Sequence, residues 1–341
     1  MKRLMFLTSG EHPTLPKSEI LGAIEAENCD FEVINDLDQV LIVKTNANYQ
    51  VLSERLGMTH WIGKHYCTAQ ENELLESIGS SDLIDNLPHG ESISVRIKRI
   101  KQYSPELNAS ELAKDIADQI LEKINFEVDL SNPDNEIIGV LTENMCVVGL
   151  LKKRIERSRF RERRPKNRES VHPGTMQPEY ARVLVNLART PREGNFLDPF
   201  CGVGGILIEA GLIGARVIGV DINPEMIEGA EKNLKEAKIN EFELRVGDAR
   251  KTSIREIDAI ATDPPYGRQA STEGLSISEL YEESMPTICD SLKKESYLCI
   301  SAPSQLELEE IMPQEDLKIE EKHVQRVHKD LTRNIYVIKK V

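Results

Sequence analysis

No apolar run in the chain approaches the roughly 18 residues that a membrane-spanning helix needs. The opening stretch, Met1-Lys-Arg-Leu-Met-Phe-Leu7, is too short in apolar length for a secretory signal. These two absences predict a soluble, cytoplasmic protein that has no membrane partner. The six cysteines, Cys29, Cys67, Cys146, Cys201, Cys289 and Cys299, form no C-x-x-C pair and have no histidine at zinc-ligand spacing. That speaks against a metal site and a disulfide framework and leaves buried thiols as the expectation. There is no internal repeat and no low-complexity tract. A G-x-x-x-x-G-K-[ST] loop is also missing, which disfavours phosphate cradling. Positive charge is short as well: 43 Lys and Arg face 57 Asp and Glu, for a net charge of −14. Averaged over the chain, that argues against a polyanionic partner.

What is present is the composition of a folded protein: 341 residues, 40% apolar and 29% charged. The length predicts two or three domains. The charge, however, is uneven. Residues 152–168 read KKRIERSRFRERRPKNR, ten Lys or Arg and two Glu. This island carries +8, so the remainder carries −22. Such asymmetry marks either a contact with a polyanion or a solvated, salt-bridged linker, and charge alone leaves both open.

The first 150 residues mix short strands and helices. Arg3–Leu7 and Val40–Lys44 look like strands and Pro16–Glu27 like a helix, while Glu91–Lys98 alternates at period two. Over Ser110–Ile124 an apolar stripe predicts an amphipathic helix with Ser110 as N-cap. Two strands, Glu136–Leu141 and Cys146–Leu150, follow the turn at Asn132-Pro-Asp134. This half reads as α+β, with two subdomains meeting near residues 50–60. The basic stretch, broken by Pro165, is the candidate linker. Beyond it comes a helix from about Gln177 to Arg189, then strands and helices in alternation: strand 195–199, helix from Gly204, strand 216–221, helix 224–237, strand 242–247, strand 259–263, helix 278–292, strand 296–301 and helix 304–311. Repeated βα units predict a mostly parallel, doubly wound sheet. Residues 317–340 add a hairpin turning at Lys329–Thr332.

The chemistry concentrates at the predicted strand ends. In Asn195-Phe-Leu-Asp-Pro-Phe-Cys-Gly-Val-Gly-Gly205 a strand ends at Asp198 and runs into Gly202 and Gly204, which allow a ligand close to the backbone where α/β sheets bind nucleotides. Asp221 closes the next strand 23 residues after Asp198, near the spacing at which an acid grips ribose hydroxyls; alone it would read as a helix cap. Asp248, in Gly247-Asp-Ala249, is placed to accept from an adenine amine or simply to make a turn. Asp263-Pro-Pro-Tyr-Gly267 is the most informative element. Its prolines remove two donors. The Asp263 carboxylate and the Pro264 carbonyl remain as acceptors beside an aromatic plane. An aromatic amine needs such a site: its lone pair is delocalised, and two acceptors on its hydrogens favour a more pyramidal nitrogen. Tyr266 can then stack on the base.

D-P-F-C-G-V-G-G, V-D-I-N-P, G-D-A and D-P-P-Y-G, in that order, resemble the motifs of class I S-adenosylmethionine-dependent methyltransferases. D-P-P-Y resembles the subset that methylates exocyclic amines. Residues 126–152 resemble the end of a THUMP domain, an RNA-binding module. His172-Pro-Gly-Thr-Met-Gln-Pro-Glu-Tyr-Ala-Arg182 and Val327-His-Lys-Asp-Leu-Thr-Arg333 are similar to the archaeal enzymes that methylate N2 of guanosine at tRNA position 10. The resemblance implies a Rossmann-like catalytic domain, a mostly parallel seven-stranded sheet with a C-terminal β-hairpin, preceded by an α+β region. It implies the divisions 1–55 (ferredoxin-like), 56–152 (THUMP), 153–175 (basic linker) and 176–341 (catalytic). Its cofactor is S-adenosylmethionine. Asp198, Gly202 and Gly204 would line the methionine end, and Pro173 and Thr175 would close over the carboxylate. Asp221 would hold the ribose, and Asp248 with Ala249 would face the adenine. Asp263 and Pro264 would grip guanine N2 while Tyr266 stacks.

The partner so implied is tRNA. The RNA contacts are assigned to Arg154, Arg157, Arg159, Arg161, Arg163, Arg164, Lys166 and Arg168, with Arg96, Lys98, Arg99 and Lys101 as additions. No metal is expected, the chain is expected to be a monomer, and the need for a small activator protein is left open. Transfer is expected to run in line from the sulfonium to N2, without a covalent enzyme intermediate and with Cys201 as a buried bystander, Asp263 taking the proton directly or through water. Gly267–Ser276 reads as a lid. The rival readings are a DNA or RNA amino-methyltransferase acting on adenine N6 or cytosine N4, a non-catalytic tRNA-binding module and, more distantly, a nicotinamide-dependent oxidoreductase.

Overall fold

The computed structural model describes residues 1–88, 90–266, 275–312, 316–328 and 331–341. In chain order its first part contains β1 (Lys2–Thr8), α1 (Leu15–Ala26), β2 (Phe31–Leu37), β3 (Val40–Thr45), α2 (Tyr49–Arg55), β4 (Thr59–Ala69), α3 (Glu71–Ser80), β5 (Ser92–Arg99), α4 (Ala109–Leu121), β6 (Glu127–Val128), β7 (Asn135–Thr142) and β8 (Met145–Arg154). The rest contains α5 (Ser158–Glu162), α6 (Pro178–Leu187), β9 (Asn195–Asp198), α7 (Gly205–Leu212), β10 (Arg216–Asp221), α8 (Pro224–Glu236), β11 (Phe242–Val246), β12 (Ile257–Thr262), α9 (Ile277–Ser291), β13 (Leu292–Pro303), α10 (Leu308–Ile311), β14 (Leu317–His328) and β15 (Leu331–Lys340). The expected lid lies, but for its last two residues, outside the described residues, as do Lys329 and Asp330 of the hairpin turn.

Two compact units emerge. The first takes in Met1–Pro13, Cys29–Glu54 and Thr59–Glu156. Its eight strands form one sheet in the order β2-β3-β1-β4-β8-β7-β5-β6. Strands from either side of residues 50–60 therefore share a single sheet, with β4 pairing to β1 on one edge and β8 on the other. Pairing is antiparallel except for β5, which runs parallel to both β6 and β7. The stripe in α4 packs Leu112, Ile116 and Ile120 into a core with Ile93, Ile137 and Val148. Its N-cap is Asn108, whose side chain accepts from the amides of Ser110 and Glu111 at 3.0 and 3.3 Å; the expected Ser110 lies already inside the helix. Both residue types cap well, and the one nearer the amino end took the role.

The second unit comprises Thr14–Asn28, Arg55–Met58 and Arg157–Val341. Its sheet runs β11-β10-β9-β12-β13-β15-β14. The first five strands are parallel, and the β14–β15 hairpin joins antiparallel to β13. This is the seven-stranded, mostly parallel arrangement expected. One apolar cluster packs α6 and α7 around Phe196, Ala259 and Val337, and another packs α9 around Ile260, Ile300 and Tyr336. The helix anticipated over 304–311 is reduced to Leu308–Ile311.

Helix α1 joins this unit through buried polar groups. Glu19, fully buried, accepts from the amides of Gly57 and Met58 at 2.7 and 2.9 Å and from Asn186 Nδ2 at 3.0 Å. Burial holds its carboxyl above the usual range. Glu209 of α7 is also fully buried and takes two guanidinium groups, Arg163 at 2.8 and 3.0 Å and Arg182 at 2.9 Å. Removing one partner of such a buried cluster strands the remaining charge, a cost of about 3–5 kcal/mol. Glu209→Ala is therefore expected to lower the unfolding free energy of this unit, read from denaturant titration, by that amount. Glu243→Ala, which loses only an exposed pairing with Arg245, should stay within about 0.5 kcal/mol. Equal effects would show that the Glu209 cluster adds nothing.

Candidate active site

The carboxyl ends of the parallel strands share one edge. β9 has β10 on one side and β12 on the other. The chain thus leaves β9 in one direction and returns on its far side, which opens the crevice in which α/β sheets hold ligands. Asp198 ends β9, Asp221 ends β10, Thr262 ends β12, and Asp263 follows.

Asp198 is 1% exposed. Its Oδ1 accepts from Thr262 Oγ1 at 2.7 Å and from the Phe200 amide at 3.2 Å. Burial pushes its carboxyl up from 3.8 to about 7, against those two hydrogen bonds and with further upward pressure from Asp263 and Asp221. Thr262, which sequence reasoning passed over, thus ties the ends of β9 and β12 together. The glycine turn follows. Gly202 and Gly204 have φ of +50° and +80°, the left-handed region open to glycine. The Gly202 amide donates to Asp221 Oδ2 at 2.9 Å, and Asp221 Oδ1 accepts from the Asn223 amide at the same distance. Asp221 is therefore held by the turn it faces, and burial raises its carboxyl as well. Asn223 then caps α8. Cys201 is buried and its thiol is pushed far up by burial, unsuited to act as a nucleophile.

Asp248 is bonded to its near neighbour Arg250, whose Nε lies 2.9 and 3.0 Å from the two carboxylate oxygens. That guanidinium holds its carboxyl below the ordinary range. Ala249 is buried beside it. After β12, Pro264 is buried, and Asp263 is engaged on both oxygens. Tyr266 donates its hydroxyl to Oδ1, and Arg333 Nη1 donates to Oδ2 at 3.0 Å. Arg333 lies on β15, 5% exposed, with Nε donating to Gln325 Oε1 at 2.7 Å. The motif V-H-K-D-L-T-R pointed to Arg333 without showing what it holds. Tyr266 stays a protonated donor, its hydroxyl pushed far up by burial and by Asp263.

Thr175 donates its hydroxyl to the His172 carbonyl at 2.7 Å, next to the exposed Pro173. Asn233, also unforeseen, binds Ser170 through both of its side-chain heteroatoms at 2.9 Å and the Val203 carbonyl at 2.8 Å. It thereby straps the approach to His172 onto the glycine turn.

The basic island is divided. Arg154 pairs with Glu136 at 2.5 Å in the first unit. Arg157 and Arg159 are half-buried, Arg159 donating to the Leu56 carbonyl at 3.1 Å. Arg163 is bound to Glu209, and Arg168 is buried. Arg161, Arg164 and Lys166 are exposed.

Comparisons with known proteins bear on the family and the fold. The family model of the RMKL-like methyltransferase domain matches residues 165–335. A tRNA (guanine(10)-N2)-dimethyltransferase of Methanothermobacter thermautotrophicus is 35% identical over 99% of both chains, and one of Pyrococcus abyssi is 32% identical over 96% of both. The chain belongs to this family. Among solved structures, TrmN from Thermus thermophilus superposes with a TM-score of 0.53 at 16% identity, covering 99% of this chain and all of that one. SMU.472, solved in complex with SAH, gives 0.52 at 15% identity over 100% and 99%. Both share the fold of this family of S-adenosylmethionine-dependent methyltransferases. A DNA methylase model also matches, over residues 58–232, a stretch that ends before Asp263.

The Asp198 shift has a consequence for stability. Below about pH 4 the carboxyl is protonated whether the chain is folded or unfolded; between 4 and 7 only the unfolded chain releases the proton. Asp198 therefore removes stability as pH rises through that window. Asp198→Asn is expected to flatten the decline in melting temperature from pH 4 to pH 7 relative to the unsubstituted protein. Parallel pH profiles would rule out a raised Asp198.

Proposed function

We propose that this chain transfers methyl groups to the exocyclic N2 of guanosine at tRNA position 10, giving N2-methyl- and, by release and re-entry, N2,N2-dimethylguanosine. The observation that carries the reading is the Asp-Pro-Pro-Tyr turn at the switch point, with Asp263 held by Arg333, in a chain alike over its full length to enzymes of that name.

The residues present fit the cofactor. Left-handed glycines at the turn admit a ligand against the backbone, and the buried Asp198 and half-buried Asp221, both raised, would ionise more readily beside a group with positive charge. Asp198 would face its methionine end together with Gly202 and Gly204. Asp221 would take the ribose, Asp248 and Ala249 would border the adenine, and Pro173 and Thr175 would close over the carboxylate. When bound, S-adenosylmethionine supplies an electrophilic methyl on a sulfonium.

The chain's own part is positioning and proton handling. Asp263 Oδ1 and the Pro264 carbonyl accept the two N2 hydrogens, which directs the nitrogen lone pair toward the methyl. Arg333 stays on Oδ2 and fixes the carboxylate's orientation. Tyr266 gives up Oδ1 to the arriving amine and stacks on the base. Asp263 then takes the proton released on transfer. A carboxylate in that position contributes about 10²–10⁴-fold.

The division 1–55, 56–152, 153–175 and 176–341 is carried forward as part of this reading, with 56–152 as the RNA-binding THUMP domain. The exposed Arg161, Arg164 and Lys166 serve as phosphate contacts, whereas Arg163 and Arg168 act within the fold. The DNA alternative draws on the second family match, and the product decides it.

Methyl transfer to unmodified tRNA transcript, followed by nucleoside digestion and mass spectrometry, should give N2-methylated guanosine and lose it when guanosine 10 is replaced. N6-methyladenine or N4-methylcytosine on DNA instead would refute the substrate. Asp263→Asn should cut turnover about 10²–10⁴-fold while leaving cofactor affinity within about threefold; normal turnover would sink its role. Neutralising Arg161, Arg164 and Lys166 together should reduce the slope of log K against log salt by about 2. An unchanged slope would remove these residues from the RNA face.

A further inference from the structure

Arg168 is a basic residue in the wrong place for an RNA contact. It is 8% exposed. Its Nε donates to the Arg163 carbonyl at 2.9 Å. Its Nη1 and Nη2 are buried and have no hydrogen-bond partner among the described residues. A buried guanidinium with two idle donors is costly, and proteins rarely keep one without a role. The buried acid that attracts it, Glu209, makes no hydrogen bond to it and is occupied by Arg163 and Arg182. One of the idle atoms, Nη1, has a definite neighbour. A Cβ placed on Gly205 would stand 3.3 Å from Arg168 Nη1 and 3.4 Å from Thr175 Cγ2. Gly205 is the first residue of α7, directly after the glycine turn. The guanidinium therefore lies against the start of that helix, where backbone amides also point outward and the dipole favours negative charge. Two free donors of one planar guanidinium, beside a helix amino terminus, make a recognition site for a planar anion that accepts two parallel hydrogen bonds.

We propose that Arg168 binds the α-carboxylate of the cofactor's methionine moiety through Nη1 and Nη2. The assignment rests on the reading of the glycine turn as the cofactor site and deepens it. It also gives the glycine at 205 a reason: a side chain there would press on the guanidinium. Arg168 is held from behind by the Arg163 carbonyl, so its guanidinium is fixed in orientation before any ligand arrives. Such preorganisation lets a charge-assisted pair contribute its full share to affinity.

The experiment is calorimetric titration of the full chain with S-adenosylmethionine and with decarboxylated S-adenosylmethionine, which keeps the sulfonium, amine and nucleoside but lacks the carboxylate. The unsubstituted protein should prefer the complete cofactor by roughly 10–100-fold, the worth of a charge-assisted pair. Arg168→Met should lose that preference, weakening the complete cofactor while leaving the decarboxylated one within about twofold. Arg168→Lys, which keeps charge but offers a single point rather than a fork, should lose part of it; it stands in if the methionine variant fails to fold, as checked by its thermal transition. Equal weakening of both ligands would reduce Arg168 to a structural residue and overturn the proposal. So would unchanged preference with weakened tRNA binding, which would return Arg168 to the RNA face. If the unsubstituted protein bound neither ligand, the cofactor reading itself would fall, and this proposal with it.

Discussion

Three carboxylates converge where the sheet changes direction, and like charges do not crowd together without compensation. Asp198, Asp221 and Asp263 each stand at the end of, or just beyond, a neighbouring parallel strand. The proximity registers electrostatically: Asp263 and Asp221 both push the Asp198 carboxyl upward. The protein answers each differently. Asp263 has the Arg333 guanidinium. Asp221 has two backbone amides. Asp198 has a threonine hydroxyl and one amide, and it holds its proton toward neutral pH. The edge is thus short of positive charge at its middle. A ligand that brings a sulfonium and an ammonium meets a site whose electrostatics improve on its arrival.

From Arg157 onward the basic stretch braces the second unit. Its positive charge is split between inward and outward tasks. Arg163 closes on Glu209 inside α7, and Arg168 hangs from the Arg163 carbonyl. Phe160 is buried within about 5–6 Å of three guanidinium groups, those of Arg159, Arg163 and Arg182. Asn233 then fixes Ser170 to the glycine turn. These contacts set where His172 to Thr175 begin. The segment that borders the site therefore depends on the basic island for its position, and only the remaining outward-facing cations are available to a polyanion.

What could be read in the sequence divides along the same line. The strand-end acids and the glycine turn were legible because each is local: a strand, a turn and a helix within a dozen residues fix what the side chain faces. The alternation of β9 to β13 was legible for the same reason. Arg333 was visible as part of a motif, yet its partner Asp263 is 70 residues away, and no period or spacing joins them. Thr262 was hidden as one more strand residue. Arg168 was read as surface charge because composition cannot tell a guanidinium in water from one folded against Gly205. The allegiance of α1 was equally invisible: its buried Glu19 finds Gly57, Met58 and Asn186 only once the chain has folded. Glu19 looked like any exposed helix acid. Strands β2 and β4 lacked the clean alternation that betrayed β5.

Asp263 shows how such a site can be rigid and still admit a substrate. Both of its oxygens are taken, one by a buried arginine and the other by the hydroxyl of Tyr266 three residues on. The two partners differ in what they cost to displace. Arg333 is charged, buried and anchored a second time by Gln325, so its removal would strand a charge. Tyr266 is neutral, and on the proposed mechanism a hydrogen bond from an arriving amine would replace the one it gives up. The exchange is therefore confined to one oxygen. In the proposed mechanism the tyrosine ring, released from its own carboxylate, is free to stack on the base. On the proposed mechanism one short turn would thus hold its acceptor ready, protect it until a donor arrives and then supply the plane on which that donor's ring rests.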